Sequence, residues 1–396
     1  MKRVVYIDIS FPSKGQTFAV SDLNELSKNV DEILVINLAK PKISKEYYSL
    51  NKNIRVLKKK NYFPSYIRNL SLFLKLNFFF ISLVIAEFFS MPVNGFRLIR
   101  VYPRTIRAFF EVNFYDPSIV HLFWGHTPSA LGVLLKKYTN YKVTMFLGAY
   151  DLFLEMKTTK RLINLADKVV THSNYGKKMI HEKYNYPSSK VIYRGIPRGY
   201  LNFEAPRIIN FELIYAGRII RAKCLYEIIE HLYLNNDMKS CLHIFGEGID
   251  SSRCKSLVRE NAIQEVKFHN NVSRDKLLAV MRQSKLLLFF SRKKGDVIPN
   301  VLKEAMASGC IVISNIHNDS IHELIEDKRN GFLIENIEEL YPLINNLMRM
   351  SDEEISRIQR MAMETIEEKF ITENTIGEYL SMWSEHTDIS NGKTSI

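Results

Sequence analysis

The sequence predicts an α/β protein of two domains, each built on a parallel sheet, and three observations carry that prediction. Short apolar runs alternate with amphipathic stretches from end to end, the pattern of strands and helices in βα units. At 396 residues the chain exceeds what one hydrophobic core usually organises. Between Gly195 and Phe211 a polar tract with Pro197, Gly199 and Pro206 interrupts the periodicity. The boundary is placed near Glu204, giving domains at 1–204 and 205–370. Residues 371–396 are read as a C-terminal helix, a candidate for return to the first domain, and a frayed tail.

The expected strands of the first half are Val4 to Ile9, Glu32 to Leu38, Ile54 to Leu57, Ser118 to Phe123, Lys142 to Leu147, Lys168 to Thr171 and Lys190 to Tyr193. Those of the second half are Leu213 to Ala216, Cys241 to Phe245, Val266 to His269, Leu286 to Phe290 and Ile311 to Ser314. No internal repeat or low-complexity block interrupts them, which excludes solenoids and arrays.

A hydrophobic fraction of 46% and a charged fraction of 24% are those of an ordinary folded protein, neither disordered nor polytopic in a membrane. The net charge of +13 is scattered, with its densest tract at Lys58 to Lys60. Nucleic acid, an anionic membrane surface and an acidic substrate such as a nucleotide sugar all fit such a charge. Nucleic acid ranks lowest, because no zinc-ligand spacing, RNA-recognition signature or helix-turn-helix pattern accompanies it.

Cys224, Cys241, Cys254 and Cys310 lack metal-ligand spacing and read as reduced thiols of a cytoplasmic protein. Met1-Lys2-Arg3 leads into an apolar run too short for a signal peptide. Leu70 to Met91 has about the length of a membrane span but carries Lys75, Asn77 and Glu87, so it reads as a buried or membrane-touching helix.

Candidate chemistry concentrates in the second half. Leu213 to Ala216 ends in Gly217-Arg218, with Lys223 five residues on; a glycine there admits close backbone approach, and two cations can flank a diphosphate. Leu286 to Phe290 leads through Gly295-Asp296-Val297-Ile298-Pro299-Asn300 into a short helix framed by Pro299 and Gly309. Asp296 precedes that helix and Glu304 lies inside it, with free helix amides between them for a phosphate. A carboxylate accepts two bonds from a vicinal diol, so each acid suits hydroxyls of a sugar. By spacing alone, Asp296 reads first as a helix-capping acid and Glu304 as a solvated side chain.

The stretch from Asp296 to Gly309 resembles the signature of the retaining GT-B glycosyltransferases of the "group 1" family, E-G-x-P-x-x-x-x-E-A-M-A-x-G. The spacing is kept; Asp296 replaces the first glutamate and Val297 the glycine after it. Gly217-Arg218 with Lys223 resembles the family's G-R-x-x-x-x-K-G loop, with Cys224 in place of its last glycine. Gly246-Glu247-Gly248 resembles its G-x-G turn, and Asn330-Gly331-Phe332-Leu333 its late G-x-L element. In the first half, Ser10 to Phe18 resembles the opening loop of members that build bacterial surface polysaccharides. His121 falls where relatives show a histidine pair whose second member is Phe123 here, and His126 is a candidate substitute for it.

The resemblance implies a GT-B fold, two Rossmann-like domains facing across a cleft. It also implies retaining transfer of a hexose-type sugar from a nucleoside-diphosphate donor to a saccharide or lipid-linked acceptor, with no metal and no separate cofactor. Arg218 and Lys223 would stabilise the diphosphate, Asp296 the transferred sugar and Glu304 the ribose. Gly217, Gly246, Val297, Ile298, Pro299 and Asn300 would line the donor, Gly15, His121 and Asp151 the acceptor side, and His126 would serve the reaction. An epimerase or hydrolase on the same scaffold, and a non-enzymatic scaffold, stay open as alternatives. A cytoplasmic enzyme peripheral to an anionic membrane is the expected setting.

Overall fold

The structure, a computed structural model, describes residues 3–12, 17–40, 50–57, 69–201, 209–292, 298–317 and 319–385. It divides into two units: Met1–Gly195 with Thr372–Ile396, and Ile196–Ile371.

The first unit is a parallel sheet of β1 (Arg3–Asp8), β2 (Glu32–Asn37), β3 (Ile54–Val56), β4 (Ile119–Leu122), β5 (Val143–Phe146), β6 (Lys168–Thr171) and β7 (Lys190–Val191). Its strand order is β3-β2-β1-β4-β5-β6-β7. The intervening helices are α1 (Thr17–Ser27), α2 (Leu70–Phe88), α3 (Pro92–Tyr115), α4 (Ser129–Tyr138), α5 (Ala149–Leu154), α6 (Lys157–Ile163) and α7 (Asn174–Tyr184). Side chains alternate across each strand. Val5 and Ile7 of β1 therefore enter a core with α2, α3 and α4, while Val4 and Tyr6 enter a second core on the opposite face.

The apolar segment flagged in the sequence is α2, and it is long and apolar enough to cross a membrane by length and composition. One stripe of it, Leu76, Phe79, Phe80 and Leu83, is packed into the unit's own core. Glu87 continues that stripe. Its carboxylate accepts the Thr158 backbone N–H at 2.6 Å and also the Thr158 hydroxyl, tying the end of α2 to the start of α6.

The second unit is a parallel sheet of β8 (Phe211–Ala216), β9 (Leu242–Phe245), β10 (Val266–His269), β11 (Ser284–Phe289), β12 (Ile311–Asn315) and β13 (Phe332–Ile334), in the order β10-β9-β8-β11-β12-β13. Its helices are α8 (Leu225–Ile229), α9 (Ser251–Glu260), α10 (Arg274–Arg282), α11 (Asn300–Ala307), α12 (Leu340–Arg349) and α13 (Asp352–Lys369). The last helix, α14 (Thr372–Ser384), belongs to the first unit, where Ile376, Met382 and Trp383 join the core beside α1.

The chain changes unit at Gly195/Ile196 and not near Glu204, which itself lies outside the described residues. Ile196 already pairs with Ile371, and its N–H donates to the Phe370 carbonyl at 2.8 Å. Arg198 meets Glu367 at 2.6 Å, so the first part of the proline-containing tract is an edge of the second unit.

If Glu87 fixes α2 to the unit, Glu87→Ala should lower the unfolding free energy by about 1–3 kcal/mol, the cost of leaving buried donors without a partner. Urea denaturation measures it, with Lys75→Ala on the exposed face as a control expected within about 0.5 kcal/mol of wild type.

Candidate functional site

Parallel α/β sheets bind ligands beyond the carboxyl ends of the strands, where the strand order reverses. In the second unit that point lies between β8 and β11. The loop after β8 holds Gly217, at φ 155, and Arg218, which is exposed. The Tyr215 hydroxyl donates to the Arg218 carbonyl at 3.1 Å.

The turn after β9 presses on this loop. A Cβ on Gly246 would stand 1.9 Å from the Gly217 oxygen, and one on Gly248 2.0 Å from the Ile219 oxygen. The Ile219 N–H donates to the Glu247 carbonyl at 3.0 Å. Gly246 and Gly248 are thus required by loop against loop, and the sequence offered only the motif.

From Ile219 the loop turns through Arg221–Lys223, delivering Lys223 to the switch point. Its Nζ lies 3.4 Å from the Ser291 hydroxyl, past the end of β11, and 4.3 Å from the Phe289 ring centroid. Cys224, which stands where the family motif has glycine, takes φ 55, a left-handed conformation that glycine adopts without steric cost. Ser291 is clamped to the end of β12: its N–H donates to Asn315 Oδ1 at 3.0 Å and its carbonyl accepts from Asn315 Nδ2 at 3.1 Å. A cavity of about 260 Å³ opens beside this clamp, with Cys224, Phe290, Arg292 and Asn315 in its wall.

Pro299 is the N-cap of α11, and Asn300 is its first residue. Among the described residues no side chain caps this end. Ile298, buried before the proline, has φ 33, an outlier for a β-branched residue and the kind of strain that clusters at functional sites. Gly309, at φ 72, ends the helix, and the Cys310 N–H returns to the Ala305 carbonyl at 2.9 Å.

Glu304 is buried in α11, not solvated, and is bonded to the Arg274 guanidinium at the start of α10. Burial raises the carboxyl above the ordinary carboxylate value, against Arg274 and Lys303, which lower it. The Arg274 guanidinium in turn sits 5.2 Å from the Tyr200 ring centroid. Sequence reading missed Arg274. Ser273 caps α10 and so marks a helix start, but no local pattern links that start to an acid thirty residues away.

In the first unit the strand order reverses between β1 and β4, and the loop after β4 carries His126. Its Nδ1 is 2.6 Å from Asp151 Oδ1, and Asp151 Oδ2 accepts the Gly148 N–H at 2.8 Å. Asp151 is fully buried, whereas the His126 side chain keeps slight exposure and stands edge-on to the Tyr150 ring. The structure thus joins two residues that the sequence named separately.

His121 is placed differently from the acceptor-side expectation. It is buried in β4, with Nδ1 2.8 Å from the Thr144 hydroxyl and the Tyr6, Tyr379 and Trp383 rings around it. Desolvation pushes its pKa down to about 3, which makes it a neutral core histidine. Asp296, Val297 and Gly15 lie outside the described residues. The four cysteines are free thiols.

Two parallel-sheet Rossmann-like units, with the chain returning to the first through α14, define a GT-B protein. The Anabaena protein HepE, solved with UDP and glucose, shares this fold: TM-score 0.70, 15% identity, and coverage of 97% of this chain and 100% of that one. The lipopolysaccharide outer core galactosyltransferase WaaB, in its apo form, matches at TM-score 0.65 and 16% identity over 96% and 99% of the two chains.

Within that fold, residues 210–350 of the second unit match the family model described as Glycosyl transferases group 1. An uncharacterized glycosyltransferase of Methanocaldococcus jannaschii is 26% identical over 63% of this chain, an alignment spanning 60% of that relative's length. One of Haemophilus influenzae is 23% identical over 89% of this chain and 94% of its own.

Gly246→Ala tests the loop contact. The added methyl meets a backbone oxygen and the residue keeps φ 147, so a loss of about 1–3 kcal/mol is expected. Urea denaturation measures it; wild-type stability would show that the two loops can part.

Proposed function

We propose that the chain is a glycosyltransferase that moves a hexosyl group from a nucleoside-diphosphate sugar to a saccharide or lipid-linked glycan, with retention and without a metal. The setting proposed is polysaccharide biosynthesis in the cytoplasm. The observation that carries this reading is Lys223 reaching across the β8–β11 switch point to Ser291. The reading further draws on Arg218 of the same loop, on the start of α11, which no described side chain caps, and on Glu304 buried in that helix. Cations and helix amides meet a diphosphate, and a carboxylate one turn on meets a ribose diol. The UDP and glucose bound by HepE, and WaaB's place in lipopolysaccharide assembly, support the substrate class.

In the proposed reaction the bond from the anomeric carbon to the diphosphate oxygen breaks. The acceptor oxygen bonds the same face of that carbon, and its proton passes to the departing diphosphate oxygen. Arg218, Lys223 and the α11 amides stabilise the charge that grows on the diphosphate. Glu304 anchors the ribose and Asp296 orients the transferred sugar. His126, held by Asp151 so that Nε2 points away from the carboxylate, bonds a sugar hydroxyl.

A panel of UDP-, GDP- and ADP-sugars tests the reading by thermal protection and then by release of free nucleotide. One donor should protect, and Glu304→Ala should weaken its binding more than Asp296→Ala does. No protection by any donor would refute the transferase reading; binding without release in the presence of acceptor extract would leave a scaffold.

A pH profile tests the Arg274 contact. With Arg274→Met, one cause of the lowering at Glu304 is gone, so its carboxyl ionises at higher pH than in wild type. The acid limb of nucleotide binding should shift upward in pH while the alkaline side stays put. An unmoved acid limb would mean that Arg274 does not keep Glu304 charged.

A further inference from the structure

We infer that the α2–α3 hairpin docks on the surface of a bilayer containing anionic phospholipid. Leu70, Leu74, Phe78, Ile81 and Ile85 are exposed on α2 and recur at steps of four, four, three and four, which makes one helix face. The face continues through the turn and into α3: Phe78 is 80% exposed, Phe89 85% and Phe96 65%. An apolar face of this kind, left open by the unit that carries it, marks an interaction site.

Charge identifies the occupant. On α3, Arg100 and Arg104 follow Phe96 at steps of four, extending the same exposed row with cations. On α6, which Glu87 ties to the end of α2, Lys157, Lys160 and Arg161 are also exposed. From Leu70 to Phe110 the sequence contains a single acid, Glu87, and it is buried. Nearby Glu155 is bonded to Lys183. An apolar stripe with a basic rim, whose one nearby exposed acid, Glu155, is paired with Lys183, is the composition of a helix lying in the interface of an anionic membrane. A second copy of this chain fits less well, because stripe-to-stripe pairing would bring two basic rims together.

The buried side of α2 fixes the mode of contact. Leu76, Phe79, Phe80 and Leu83 are held in the unit's own core, so the helix offers one face and lies along the surface without spanning it. This inference does not rest on the proposed reaction.

Sedimentation of the full chain with vesicles of phosphatidylcholine and phosphatidylglycerol in equal parts, at low and high salt, tests it. Wild type should pellet with these vesicles at low salt and should be released by salt. Phe78→Ser/Phe89→Ser/Phe96→Ser should reduce binding at least about tenfold, given the apolar area removed. Arg100→Ser/Arg104→Ser should reduce binding to the anionic vesicles and flatten the salt dependence. All the substituted side chains are exposed, and an unchanged Tm confirms that the variants fold. Wild type remaining in the supernatant, or the triple phenylalanine variant pelleting like wild type, would overturn the inference. So would light scattering showing a dimer that the triple variant converts to monomer.

Discussion

One backbone contact sets the position of the second unit's candidate site. The Gly217 oxygen occupies the space where a side chain at residue 246 would begin. Only a glycine there lets the turn after β9 close on the loop after β8. With that contact made, Ile219 bonds Glu247, the loop turns at Arg221–Lys223, and the Lys223 ammonium reaches across the switch point to Ser291. The Ser291–Asn315 clamp holds the far side of the same opening. The cation thus owes its place to two glycines, neither of which touches it.

A second constraint concerns Glu304. A carboxylate taken out of water is costly unless it is paired, and Arg274 supplies the pair. The partner comes from a different helix, so α10 and α11 are locked in register at the site. Burial also separates this acid from the ordinary surface carboxylates of the chain. Backbone strain at Ile298 and Cys224 falls just before α11 and on the loop after β8.

Much of the fold was legible because its signals are local. The alternation of apolar runs marked every strand except β13, where three residues after Gly331 are too few to show a period. Pro299 and Gly309 framed α11 correctly to within a residue, since each acts through its own backbone angle. Long-range features were not legible. The partners of Glu304 and His126 lie thirty and twenty-five residues away in sequence. The two histidines near β4 look alike in a string, yet one faces the core and the other the loop. The boundary lies earlier than the sequence suggests, because a proline-containing tract resembles a linker. Here its first residues are held along the edge of the second unit.

The helix α2 shows why composition alone left a choice between core and membrane. It is apolar around most of its circumference, so a hydropathy window cannot say which face meets the protein. Packing decides it: the stripe ending in Glu87 turns inward because an acid there has an amide and a hydroxyl to bond. That single buried acid makes a transmembrane orientation expensive, since it would leave a carboxylate without its partners in hydrocarbon. The remaining face stays apolar although it is largely exposed among the described residues, and the exposed charges near it are basic apart from Glu155, which is paired with Lys183. A solvent-facing helix gains nothing from such a surface, whereas an interfacial one needs both parts of it.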